Sequence, residues 1–118
     1  MNRDLQDLTA RLIAFRDERD WRQFHSLKNL VLSLNLEASE LLELMQWKSD
    51  DLAEAALQDD RFHARLAEEF ADVLIYLLLV CERAGIDPVR AASDKIRLNA
   101  EKYPVDTSRG NARKYNDL

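Results

Sequence analysis

The sequence predicts an all-α protein, a bundle of four main helices of which some faces need a second copy to cover them. Three observations predict it. Only two glycines and two prolines occur in 118 residues, so turn-rich β folds and Gly-rich phosphate-cradling folds lack the residues they depend on. Within residues 27–47 the columns Leu27, Leu34, Leu41 and Val31, Ala38, Met45 repeat every seven residues, as the seam of a bundle helix does. Residues 70–81 are apolar on every side except at Asp72, which suits a buried helix. A chain this short with 47% apolar residues is expected to oligomerise, as a dimer or a tetramer built from dimers.

The elements follow in order. Residues 4–19 place Leu5, Leu8, Leu12, Ile13 and Phe15 at three- and four-residue steps with charges between them, an amphipathic first helix. Residues 20–26 hold Trp21, Phe24 and His25 and read as a connector, with Ser26 as the cap of the second helix, 27–47. Lys48, Ser49, Asp50 and Asp51 supply polar caps for a short helix over 50–57, before a break at Asp59 and Asp60. The third helix spans 60–84 and stops at Gly85, because glycine tolerates the left-handed conformation that ends helices. Asp87 followed by Pro88 opens the fourth, which runs to Lys102 and is ended by Pro104. The tail from 105 has too few apolar residues to pack alone and is either disordered or folded over a site. The whole chain, 1–118, reads as one domain.

Charge and cysteine content exclude several functions. The net charge of −5 disfavours nucleic acid as a partner, although residues 88–118 carry seven basic and four acidic side chains and can hold a small polyanion. Cys81 is the single cysteine and has no internal disulfide partner, and the first residues lack the basic-then-apolar order of a secretory signal. A cytoplasmic protein is expected. The longest apolar stretch is too short to span a bilayer.

Four carboxylates stand where apolar residues would be expected. Glu37 falls in the column Leu30, Glu37, Leu44, and Glu40 in the column Ser33, Glu40, Trp47, so two acids three residues apart project together. On the third helix Glu69 lies between Phe62 and Tyr76 at heptad spacing, with Asp72 three residues on. A single Glu-x-x-Glu is more often a solvated pair, and it is the pair of pairs that points to a site. An ionised carboxylate in apolar surroundings costs several kcal/mol unless compensated. Lys28 and Arg65 are too few and too displaced to do so, which leaves a metal ion. Oxygen ligands without histidine or cysteine favour Mg²⁺ or Mn²⁺ over Zn²⁺. A di-iron bundle needs Glu-x-x-His on two helices, and only Asp60-x-x-His63 is present, at a helix start.

Glu37-x-x-Glu40 followed, after residues 41–68, by Glu69-x-x-Asp72 resembles the MazG-like all-α nucleoside triphosphate pyrophosphohydrolases. The stretches FRDERDWRQFH, EASELLELMQWKSD, EEFADVLIYL and KYPVDTSRGNARKYNDL, in that order, are similar to the branch that acts on dCTP. Two positions depart from the family pattern: Leu36 replaces an extra acid, and Ser39 stands where glycine is frequent.

The resemblance implies that Glu37, Glu40, Glu69 and Asp72 bind Mg²⁺ and hydrolyse a nucleoside triphosphate, dCTP or a modified dCTP, to the monophosphate and pyrophosphate, cleansing the nucleotide pool. Glu40 is the favoured general base, though nothing in the sequence separates it from the other three. Trp21, His25, Trp47 and Tyr76 match base-contacting positions of that branch. Two of them also have support from spacing: Trp47 lies almost two turns beyond Glu40 on one stripe and Tyr76 one heptad after Glu69. Lys95, Asn99 and Tyr103 match triphosphate or sugar contacts, whereas spacing alone makes Lys95, Asn99 and Lys102, with Tyr103 beside them, a solvated face of the fourth helix. Arg109, Arg113 and Lys114 in the tail are placed to close over the ligand of their own or a neighbouring subunit. Two other functions stay open: a non-catalytic helical interaction module whose acids pair with a partner's basic residues, and a dUTPase-like or broader dNTP pyrophosphatase activity.

Overall fold

The computed structural model describes residues 3–114 and 116, all of them in helices, turns or irregular segments and none in a strand. Six α-helices follow one another: α1 (Arg3–Glu18), α2 (Leu27–Glu43), α3 (Asp50–Ala56), α4 (Asp60–Ala84), α5 (Pro88–Lys102) and α6 (Val105–Ser108), with a single 3-10 turn (Arg22–Phe24) between the first two.

Local chemistry sets most of these ends. The Ser26 hydroxyl accepts from the Asn29 N–H at 3.2 Å and starts α2. The Asp59 carboxylate accepts from the Arg61 and Phe62 N–H groups at 2.9 and 3.3 Å and starts α4. Gly85, at φ 69°, ends α4 in the left-handed conformation, and the Ile86 N–H closes back on the Cys81 carbonyl at 2.8 Å. Asp87 then caps α5 through the Val89 and Arg90 N–H groups, with Pro88 in the first turn where a missing N–H costs nothing.

Two ends differ from expectation. α2 stops at Glu43, four residues before Trp47: Leu44, Met45 and Lys48 donate to carbonyls three residues back, and this tightened turn hands the chain to the Ser49 cap of α3. Trp47 therefore leaves the stripe that carries Glu37 and Glu40. The tail forms the extra helix α6, in which the Ser108 and Arg109 N–H groups bond to the Pro104 and Val105 carbonyls. The last residues of the expected lid, at 115, 117 and 118, lie outside the described residues.

The core is the α2–α4 pair, packed along one another, with α1 crossing α4 more lightly and every other pairing slight. Leu30 from α2 and Leu78, Leu79 and Cys81 from α4 are buried, and burial pushes the Cys81 thiol up from its ordinary range. α4 is not covered all round as its sequence suggested. Phe70 is 56% exposed and Leu77 42%, because only α1 and α2 are available to cover it within one chain. The radius of gyration is 17.8 Å, against about 13–14 Å for a compact domain of this length. No helix among the described residues is long and apolar enough to cross a membrane.

Candidate active site

Packing α2 against α4 brings their acidic faces together. One carboxylate oxygen from each of Glu37, Glu40 and Glu69 lies within 4.8 Å of the other two. Glu37 Oε2 and Glu69 Oε2 are buried without a hydrogen-bond partner, and none of Glu37, Glu40, Glu69 and Asp72 joins an ion pair among the described residues. Like charges at this distance cannot all ionise at ordinary pH without a cation. Burial first, and the neighbouring Glu40 second, push Glu37 up to about 7; burial, then Glu40 and Asp72, raise Glu69. Asp72 stands beside the trio rather than within it and is exposed, so it is not the isolated buried charge that its apolar sequence neighbours implied.

Two orphaned buried oxygens, all-oxygen donors and an uncompensated negative charge fit a hard divalent cation. That donor set is the observation on which the metal assignment rests.

Beside the carboxylates a cavity of about 270 Å³ opens between α1, the connector, α2 and α4. Glu37 and Asp72 form one wall. Leu12, Phe15, Ile75 and Leu79 add apolar lining, and Trp21, His25 and Tyr76 complete it with rings. The volume lies just below the range of roughly 300–1,000 Å³ usual for whole small-molecule sites, which suits one ring system rather than an entire nucleotide. Trp21 is held edge-on to Phe15, with ring centroids 5.7 Å apart and planes at 75°, while the Arg19 guanidinium caps Phe15 at 3.7 Å. His25 Nδ1 is buried without a partner, and burial, followed by the nearby Arg16 charge, lowers the His25 pKa. The ring is therefore neutral and keeps an acceptor nitrogen.

Of the residues singled out in sequence, Glu37, Asp72, Trp21, His25 and Tyr76 line this cavity, and Glu40 and Glu69 complete the carboxylate cluster beside it. Trp47 does not line it: it is 89% exposed, because the turn that ends α2 carries it off the helical stripe. Lys95 and Asn99 on α5 and Tyr103 at its C-terminal cap do not line it within one chain. One lining residue, Arg16, escaped the sequence reading. It is one of several arginines in the first helix and its connector, and nothing in its spacing marks it as the one that is 4% exposed.

An all-helical chain with paired carboxylates from two packed helices and an aromatic pocket alongside defines a class, and known proteins agree with it. The MazG-like family model matches residues 32–118, and the chain belongs to that family. It is 45% identical to dCTP pyrophosphatase 1 of Rattus norvegicus over 114 residues, which is 97% of this chain and 67% of that protein. The Homo sapiens dCTP pyrophosphatase 1 is 40% identical over the same shares. The crystal structure of a pyrophosphatase from Archaeoglobus fulgidus matches with a TM-score of 0.80 and 40% identity, covering 88% of this chain and 95% of that one.

Proposed function

We propose that the protein hydrolyses a cytosine nucleoside triphosphate, dCTP or a modified dCTP, to the monophosphate and pyrophosphate, with Mg²⁺ as its metal. The enzyme is a nucleoside triphosphate pyrophosphohydrolase of the nucleotide pool. One observation carries the reading. The clustered, unpaired carboxylates Glu37, Glu40 and Glu69 adjoin a pocket with the size and aromatic lining for a base, so a triphosphate with its base in the pocket has its phosphates beside the acids. The relatives named dCTP pyrophosphatase 1 support the same substrate.

In this mechanism Glu37, Glu40 and Glu69 hold the metal, with Asp72 completing the negative field. The metal, when bound, neutralises triphosphate charge and acidifies water. Trp21 and Tyr76 fix the base, which places the α-phosphorus for in-line attack. Glu40, the most solvent-accessible of the trio, takes the proton of the attacking water as the bond from the α-phosphorus to its bridging oxygen breaks and pyrophosphate leaves. His25 accepts a hydrogen bond from the exocyclic amine of the base. Lys95, Asn99 and Tyr103 contact the triphosphate or sugar across a subunit interface, in a dimer or tetramer that covers the exposed apolar face of α4. The extended shape of the single chain supports that assembly. Sedimentation showing only monomer at micromolar concentration would remove it.

The deciding experiment incubates the protein with a panel of triphosphates, with and without Mg²⁺, and quantifies pyrophosphate. Turnover confined to uracil triphosphates selects the dUTPase-like reading. No turnover with any triphosphate selects the interaction module. Asp72→Ala separates the last two classes independently: in the enzyme it abolishes turnover without loss of thermal stability, since it relieves crowding of like charges, whereas in an interaction module it leaves a partner's cation unpaired and weakens the complex.

A further inference from the structure

Arg16 is the one charged side chain among the described residues that is buried, at 4% exposure, and it lines the same cavity as Trp21, His25 and Glu37. Its Nε–H donates to Asp17 Oδ1 at 2.9 Å and its Nη1 donates to Glu82 Oε2 at 3.0 Å. A guanidinium carries five N–H donors and no acceptor. Nη2, with two of them, has no partner among the described residues.

Two features separate this arginine from a phosphate ligand. Asp17 and Glu82 already balance its charge twice over, so it adds no net attraction for a polyanion. It also lines the base-sized pocket with His25, whose pKa its charge lowers, and its ion pairs go to Asp17 and Glu82 and to none of the carboxylate trio. What remains is a charge-balanced guanidinium on the lining of a base-sized pocket, with one nitrogen unpartnered among the described residues. The pyrimidines differ where such a donor matters. Cytosine offers acceptors at both N3 and O2, whereas uracil and thymine carry an N–H donor at N3.

We infer that Arg16 is a base-reading residue: its Nη2 group donates to the N3–O2 edge of cytosine and is opposed by the N3–H of uracil and thymine. The inference rests on the reading of the pocket as a cytosine site and adds the group that selects the base. Asp17 and Glu82 are positioning residues that hold the guanidinium plane. A site built to hydrogen-bond one group rejects an analogue lacking it far more strongly than an apolar wall does. With His25 accepting from the exocyclic amine, the pocket opposes one donor edge and one acceptor edge to the base, and only cytosine satisfies both.

The test uses the full chain and 3-deaza-dCTP, in which a C–H replaces N3. The wild-type protein is expected to lose at least tenfold in kcat/KM on this analogue relative to dCTP, mostly through KM. Arg16→Lys keeps a cation between Asp17 and Glu82 but withdraws Nη2. It is expected to keep its melting temperature near the wild-type value, to lose at least tenfold on dCTP, and to treat dCTP and 3-deaza-dCTP within about threefold of one another. Equal wild-type turnover of the two substrates overturns the inference without any variant. So does an Arg16→Lys protein that still discriminates between them as the wild type does. A wild-type protein that shows no preference among cytosine, uracil and thymine triphosphates instead overturns the cytosine reading of the pocket, which is a separate failure.

Discussion

Arg16 of α1 and Glu82 of α4 are joined by a 3.0 Å hydrogen bond across 66 positions of sequence, and this bond ties the pocket-lining helix to the core helix. Removing the carboxylate leaves a guanidinium at 4% exposure with Asp17 alone. Glu82→Ala is therefore expected to destabilise the fold by about 1–3 kcal/mol, and Glu82→Gln by less because it keeps an acceptor. Urea unfolding at pH 7 measures both; a change under about 0.5 kcal/mol for Glu82→Ala shows that the pair contributes nothing net.

The carboxylate cluster makes the stability of the metal-free protein depend on pH. Glu37 lies at about 7 in the folded chain against 4.5 ordinarily, so the folded state holds a proton that the unfolded state has released across that interval. The stabilisation is complete below pH 4.5 and is lost as pH rises through about 7. With chelator present, the melting temperature should fall from pH 5 to pH 8. Mg²⁺ should raise it more at pH 8 than at pH 5.5, because ligation must displace the proton. Equal shifts at the two pH values would show that the cluster is not where the ion binds.

Glu37→Gln removes one of the crowded charges while preserving shape. Turnover should drop at least a hundredfold, and the chelated protein at pH 8 should melt higher than the wild type treated in the same way. Calorimetry on the pair checks this, and a lower melting temperature would mean that the carboxylate is compensated in solution.

Trp21 and His25 should fail differently. Stacking is worth on the order of 1–3 kcal/mol per base and tolerates any ring, so Trp21→Ala should raise KM for every accepted triphosphate by similar factors. His25→Ala should narrow the gap between cytosine and other pyrimidines. Losses in His25→Ala that are equal across all bases would leave backbone groups as the reader of the amine.

Lys95 and Glu37 are expected to act on one substrate from different subunits. Co-expressed Lys95→Ala and Glu37→Gln chains should then recover turnover that neither variant has alone, since some mixed oligomers contain one intact site. Purified mixed assemblies that stay inactive would return α5 to the site of its own chain.

The sequence by itself determined the helix ends that rest on local chemistry. α4 begins at Asp60 and ends at Ala84, and α5 runs from Pro88 to Lys102, as expected, because Asp59, Gly85, Asp87 and Pro88 act on backbone groups a few residues away. It also determined that Glu37 and Glu40 share a face, as do Glu69 and Asp72, since three-residue spacing on a helix is local geometry. The tertiary structure decided the rest. That Glu37, Glu40 and Glu69 meet within 4.8 Å while Asp72 stands aside depends on the axial register of α2 against α4, which no single helix encodes. Trp47 was placed on the acidic stripe by periodicity and leaves it because a competing turn and the Ser49 cap end α2 early. Arg16 was invisible among its neighbours because what makes it different, burial beside a pocket and a partner on a helix 66 positions away, exists only once α1 has packed on α4.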